Sequence, residues 1–179
     1  MLDVSRSDFT AAVAGAGTMG RGIAQVLAQS GARTLLYDAQ PGAAQRAIDS
    51  ISQALARLAE KGRVKDPHAI VKRIEVVPGM HAFAPCHLVV EAIIEDLAAK
   101  RVLFSELEAI VSDECILASN TSSLSVTAMA AACKKPGRVA GYHFFNPVPV
   151  MKIVEVVDGV LTEPWVTDEI GRASCRERV

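Results

Sequence analysis

Ala11-Ala12-Val13-Ala14-Gly15-Ala16-Gly17-Thr18-Met19-Gly20 is the stretch whose reading decides the fold. Its first four residues are a short apolar run of the kind that makes a strand buried on both faces. Met19, Ile23, Val26 and Leu27 follow at helical spacing and predict a helix from Met19 to Ser30, closed by Gly31. Thr34-Leu35-Leu36-Tyr37 is a second strand, and it ends at Asp38. Strand, glycines, helix, strand and terminal carboxylate together form one βαβ unit, a far more specific signal than glycine spacing alone.

Each part of the unit has a physical task. Gly15 permits the tight turn out of the strand, Gly17 lets the backbone approach a diphosphate, and Gly20 lets helix and strand pack closely. Free N–H groups at the helix start, aided by the helix dipole, face the anion. Gly15, Ala16, Gly17, Thr18, Met19 and Gly20 are therefore expected to seat a dinucleotide. Asp38 lies 23 positions after Gly15, where its carboxylate accepts from both ribose hydroxyls and repels a 2′-phosphate. That favours NAD over NADP; the nearby Arg33 works the other way.

Beyond this unit, Ala44, Ala47, Ile48, Ile51, Leu55 and Leu58 form an apolar stripe on a helix from Ala43 to Lys61. Asp66-Pro67 starts a short second helix through Lys72. The stretch 43–72 thus reads as a helical insertion, after which the sheet resumes at Ile74–Val77. Lys61, Arg63 and Lys65 cluster at its tip, either as a solvated helix end or as a contact for an anionic substrate handle. His87–Ala92 is the next buried strand, and a helix from Leu97 to Val111 carries Lys100, Arg101, Glu106 and Glu108 on its wetter side. Cys115–Ala118 is a further strand. It opens onto Ser119-Asn120-Thr121-Ser122-Ser123, before a helix from Leu124 to Ala132. Ligands of doubly wound sheets sit at the carboxyl ends of the strands, so Glu95 and this polar run share the crevice of the glycine loop. Asn120 and Ser122 fit helix capping and ligand contact equally well.

Composition bounds the function. At 179 residues the chain holds one well-packed domain with room for the start of another. Aromatics are 4% of the residues, so the core is aliphatic; 19 basic against 20 acidic residues give no electrostatic case for nucleic acid or an anionic membrane. No apolar run approaches the ~20 residues that span a bilayer, and Met1–Arg6 has no signal-peptide pattern. The four cysteines (Cys86, Cys115, Cys133, Cys175) show no metal-ligand spacing. No metal is expected, and the scattered thiols suit a reducing cytoplasm.

Val139–His143 and Met151–Val157 read as two more strands, with Asn146, Pro147 and Pro149 in the turn between them. If these strands run side by side, His143 and Glu155 come within hydrogen-bond reach. A carboxylate on one imidazole nitrogen fixes the tautomer and leaves the other nitrogen free to take a proton from a substrate hydroxyl.

With these motifs in place, residues 10–168 resemble the 3-hydroxyacyl-CoA dehydrogenase family. The resemblance rests on Gly15–Gly20 with Gly22-Ile23-Ala24, Val90–Asp96, Ser119–Leu124, His143–Pro149 and Met151–Val157. It implies an α/β fold of Rossmann type, a doubly wound, mostly parallel sheet with a helical insertion. His143 would be the catalytic base, Glu155 its partner, Ser122 a group at the substrate oxygen, and Asn120 and Asn146 residues of the same pocket. Glu95 and Lys100 would stand near the nicotinamide end of NAD, with Ser122 and Asn146 also facing the cofactor. Lys61 and Ser122 would meet an acyl-CoA. The implied reaction is NAD-dependent oxidation of an (S)-3-hydroxyacyl-CoA to a 3-oxoacyl-CoA. An NAD-dependent dehydrogenase of a non-CoA hydroxyacid and a non-catalytic NAD-binding domain are the competing readings.

The resemblance further implies a C-terminal helical domain that carries homodimer contacts and closes over the acyl group; that domain is expected to be absent from this chain. Ile170–Val179 do not resemble the family's continuation. They read as a translation of ATC GGA AGA GCG TCG TGT AGG GAA AGA GTG, which resembles sequencing-adapter DNA. The expected organisation is an NAD-binding domain over 1–169 and a non-native tail over 170–179, with little or no turnover from this chain alone.

Overall fold

The computed structural model describes residues 8–175. Its elements, in chain order, are β1 (Thr10–Ala14), α1 (Thr18–Gln29), β2 (Arg33–Tyr37), α2 (Ala43–Glu60), α3 (Pro67–Val71), β3 (Ile74–Val76), β4 (Leu88–Glu91), α4 (Leu97–Ile110), β5 (Ile116–Ser119), α5 (Val126–Ala130), β6 (Val139–Phe144), β7 (Val154–Asp158) and α6 (Pro164–Cys175). One seven-stranded sheet runs in the order β3-β2-β1-β4-β5-β6-β7. Every neighbouring pair is parallel except β6 and β7. The chain moves outward from β1 to β3, then returns to β1's other side and continues to β7. The order therefore reverses between β1 and β4, which makes that crevice the natural seat for a ligand.

Strand alternation divides the core into two layers. Ala11 and Val13 join Ile23, Leu27, Leu36, Ile51 and Leu55 on the side of α1 and α2. Ala12 and Ala14 join Leu35, Val89, Phe104, Leu107, Leu117 and Met129 on the side of α4 and α5. Each fully buried Val, Leu, Ile, Phe or Met side chain among these stabilises by about 2 kcal/mol. The small alanines of β1 let the two helical layers approach the sheet's centre.

The expected helical insertion is present as α2 and α3. Ala44, Ala47, Ile51 and Leu55 turn inward on α2. Asp66 caps α3, its carboxylate accepting the Ala69 N–H at 2.8 Å.

Three local expectations are corrected. The second hairpin strand begins at Val154 rather than Met151, because the N–H groups of Val150 and Met151 close a turn on the Pro147 carbonyl at 2.9 and 3.0 Å. The helix after β5 is shortened to Val126–Ala130, with the Ser125 hydroxyl capping it at Ala128 N–H. Lys100 is not on the wet side of α4: it is 1% exposed, on the same stripe as buried Leu103, Phe104 and Leu107. Helix α6 takes in the first six residues of the segment read as adapter-derived and buries Ile170. An apolar residue can extend a docked helical turn whatever encodes it. Arg176–Val179 of that segment lie outside the described residues.

Candidate active site

The crevice begins at the turn after β1. Gly15 adopts a φ of +107°, and a Cβ there would lie 2.4 Å from the Ala92 carbonyl oxygen, so the turns after β1 and β4 touch. At Gly20 a Cβ would lie 1.8 Å from the Gly15 carbonyl oxygen. A side chain fits at neither position. Gly17 differs, since nothing stands within 4 Å of where its Cβ would be. No side chain caps α1 at Gly17, which leaves the first-turn N–H groups for an external acceptor.

Asp38 sits at the end of β2, beside this turn. Its Oδ2 accepts the Ala16 N–H at 2.7 Å and its Oδ1 the Gln40 N–H at 2.8 Å. Within the glycine turn Ala16 thus faces Asp38, and these two bonds hold the carboxylate in one orientation. Arg33 stands at the opposite end of β2 and pairs with Glu75 of β3 at 2.8 Å. Its charge is committed away from Asp38. The residues present fit NAD: an open backbone approach, an uncapped helix start and a fixed acidic acceptor whose nearby Arg33, among the described residues, is already paired with Glu75.

At the far side of the crevice, β6 and β7 pair so that His143 and Glu155 are directly opposite. His143 Nδ1 lies 2.9 Å from Glu155 Oε2. The imidazole is largely covered, its side chain 18% exposed against 56% for the carboxylate, and its ring packs on Phe145 with centroids 4.6 Å apart. Asn120, just past β5, accepts the Phe144 N–H on its Oδ1 at 2.9 Å. It ties the end of β5 to the end of β6, next to His143.

Between these two sides lies the Ser119–Ser123 run. Glu95 reaches it from the β4–α4 turn: its Oε1 accepts from the Thr121 hydroxyl, from Ser122 N–H at 3.3 Å and from the Ser123 hydroxyl at 3.5 Å. Burial alone would raise the Glu95 pKa, but the Thr121 and Lys100 hydrogen bonds and the Lys100 charge outweigh it and hold the carboxyl below its ordinary value. Lys100 Nζ lies 2.9 Å from Glu95 Oε2 and 2.8 Å from Glu91 Oε1. Ser122 is exposed, and capping does not explain it, because Ser125 caps α5.

The crevice therefore brings together the glycine turn, Asp38, Glu95, Asn120, Ser122, His143 and Glu155 at the carboxyl edge of the sheet. Asn146 joins Thr18, at the start of α1, in lining a cavity of about 330 Å³. Lys61 is not part of it; it lies exposed at the C-terminal end of α2. The basic residues that do line the cavity are Arg21 and Arg57. Arg57 is one helical turn before Lys61, so helical spacing carries the basic stripe from the exposed tip to the cavity. Glu91 is a further polar residue of this edge, beyond those the sequence motifs assign to it. A carboxylate closing an otherwise apolar strand was the signal.

This arrangement of fold and site defines a Rossmann-type NAD-binding domain with a histidine–carboxylate pair at its crevice. The chain belongs to the 3-hydroxyacyl-CoA dehydrogenase family: residues 10–176 match its NAD-binding domain. Among its relatives is the 3-hydroxyadipyl-CoA dehydrogenase of Escherichia coli (strain K12), 45% identical over 163 residues, which make up 90% of this chain and 34% of that protein. A probable 3-hydroxybutyryl-CoA dehydrogenase of Deinococcus radiodurans is 45% identical over 161 residues, 89% of this chain and 56% of the relative. The crystal structure of a 3-hydroxybutyryl-CoA dehydrogenase from Escherichia coli K12 superposes with a TM-score of 0.91 at 44% identity, over 93% of this chain and 36% of that one. The chain thus spans between about a third and just over half of these relatives. Among the described residues, no helix is long and apolar enough to cross a membrane.

Proposed function

We propose that this chain is the NAD-binding, proton-handling part of an enzyme that oxidises an (S)-3-hydroxyacyl-CoA to the 3-oxoacyl-CoA. The observation that carries the reading is the 2.9 Å contact of His143 Nδ1 with Glu155 Oε2, on the same sheet edge as the glycine turn. A carboxylate accepting from Nδ1–H leaves Nε2 as the basic nitrogen. Nε2 takes the substrate's hydroxyl proton, and Glu155 stabilises the imidazolium that results. NAD, when bound, supplies the acceptor for the hydride that leaves C3. The Ser122 hydroxyl, for which the described residues provide no hydrogen-bond partner, donates to the substrate oxygen as it becomes a carbonyl. Asn120 holds the end of β6 at a fixed distance from Ser122, and Asn146 contributes an amide to the same pocket. Gly15 to Gly20 and Asp38 hold the cofactor and Glu95 stands at its nicotinamide end, while Lys100, 1% exposed and paired with Glu91 and Glu95, reaches that end only through Glu95.

Lys61, with Arg57 and Arg21 nearer the crevice, offers positive charge to the phosphates of coenzyme A. The domain reading of 1–169 with an adapter-derived 170–179 is part of the proposal, as are a C-terminal helical domain in the whole protein and homodimerisation through it. Exposed Val150, Met151 and Ile153, beside the histidine turn, and Val160 and Leu161 support a missing cover. A cytoplasmic setting is supported by free thiols at Cys86, Cys115 and Cys133. Burial pushes the first two to about 12 and so keeps them inert.

The test is an assay of the full-length gene product with acetoacetyl-CoA and NADH. NADH oxidation is expected there, with little or none from residues 1–179. Turnover of free hydroxyacids but not of CoA thioesters would overturn the substrate class, and NADH binding without any turnover would overturn the enzyme reading.

A further inference from the structure

The most deeply buried charges of the crevice are not in the His143–Glu155 pair. Glu91, at the end of β4, is fully buried. Its carboxylate accepts from Lys100 Nζ at 2.8 and 2.9 Å, from the Ser119 hydroxyl at 2.6 Å and from the Ile93 N–H at 2.7 Å. Lys100, on α4, extends from Glu91 to Glu95 Oε2 at 2.9 Å, and Glu95 Oε1 gathers Thr121, Ser122 and Ser123. Ser119 also accepts the Thr121 N–H at 3.2 Å. An unbroken set of polar contacts therefore runs from the inside of the sheet to the loop that carries Ser122.

Stability does not account for this arrangement. Taking two charges out of water costs so much that well-packed apolar side chains would serve the fold as well or better. What an ion pair supplies and a leucine does not is direction, because each oxygen and each ammonium proton has one place to go. Lys100 has spent its ammonium on two carboxylates at 1% exposure, and Glu95 is the member of the set that reaches the surface.

We propose that Glu91 and Lys100 are positioning residues: the buried pair holds Glu95, and Glu95 in turn sets where Ser122 stands. Lys100 then acts on the crevice through Glu95 rather than by touching the cofactor. The importance of that placement rests on Ser122 meeting the substrate oxygen, but the test needs no turnover, so the two ideas fail separately.

The test uses this chain, its amide hydrogen exchange followed by NMR and its NADH affinity by fluorescence titration. Glu95→Gln, at a half-exposed site, loosens the last link. Glu91→Gln combined with Lys100→Met removes both buried charges together and strands neither. In both variants the Ser122 amide is expected to exchange about tenfold faster or more, while the amides of β1 and β2 keep their protection. The Glu95 carboxyl should titrate higher in the double variant, whose NADH affinity should stay within about threefold. Uniformly faster exchange across the sheet would reduce the pair to a structural role and overturn the proposal. A tenfold loss of NADH affinity with normal Ser122 exchange would make Lys100 a cofactor ligand, which also overturns it. Should the double variant fail to fold, Glu91→Asp keeps the charge but shortens its reach, and unchanged Ser122 exchange in that protein would be equally fatal.

Discussion

At the glycine turn the chain is held by contact at the van der Waals limit; at the β6–β7 end it is held by hydrogen bonds to exposed groups. A single added carbon at Gly20 would come 1.8 Å from a backbone oxygen, and at Gly15 2.4 Å from another. His143, by contrast, depends on one 2.9 Å bond to a carboxylate that is more than half exposed, and on Asn120 tying the adjacent backbone. The glycine turn is tightly packed at Gly15 and Gly20, where an added carbon would collide with backbone. The β6–β7 end is set by polar geometry, which leaves the Glu155 carboxylate more than half open to solvent. Substitutions at Gly15 and Gly20 should therefore strike folding and cofactor affinity together, and at the β6–β7 end chemistry alone.

The largest separation is expected from His143→Gln in the full-length protein. Turnover should fall about 10³-fold with NADH affinity near wild type, as read by steady-state rates beside fluorescence titration. Lost NADH binding would erase the contrast between the two ends. Gly20→Ala should do the opposite, costing about 3 kcal/mol of stability through overpacking and most of the NADH affinity; urea unfolding of this chain measures the first. Asp38→Ala removes the acceptor for Ala16 N–H and for the ribose, and is expected to weaken NADH by about 2 kcal/mol while the fold is kept.

Glu95 should produce a smaller effect, visible only in acid. Its folded pKa lies below the ordinary 4.5, so its contribution is complete above that value and is lost as pH falls below it through the folded value. The stability gap between wild type and Glu95→Gln should accordingly close on acidification, and a gap that widens in acid would reverse the sign. Least of all, Arg33→Gln should change stability by no more than about 0.5 kcal/mol and leave the preference for NADH over NADPH as it was. A gain in NADPH discrimination would mean that Arg33 is not confined to Glu75.

Much of this was legible in the residues. The βαβ unit was readable because strand, turn and helix each carry their own period, and because glycine is needed where backbone meets backbone. The insertion was readable from the stripe on α2 and the Asp66 cap. Pairing of His143 with Glu155 followed once two strands were joined by a short proline-rich turn, since antiparallel register then brings opposite residues together. Lys100 was misplaced because charge suggested solvent, although its spacing from Leu103, Phe104 and Leu107 marked the buried face.

Local sequence thus accounts for the elements, the glycine turn and the pairing of His143 with Glu155, because these depend on helical or strand periodicity and on one turn between consecutive strands. The Glu91–Lys100–Glu95 set, the exclusion of Ser122 from capping and the tie from Asn120 to Phe144 arose only when β4, α4, β5 and β6 came side by side. Such contacts join residues far apart along the chain, and a buried charge shows its partner only once folding has removed the water that would otherwise solvate it.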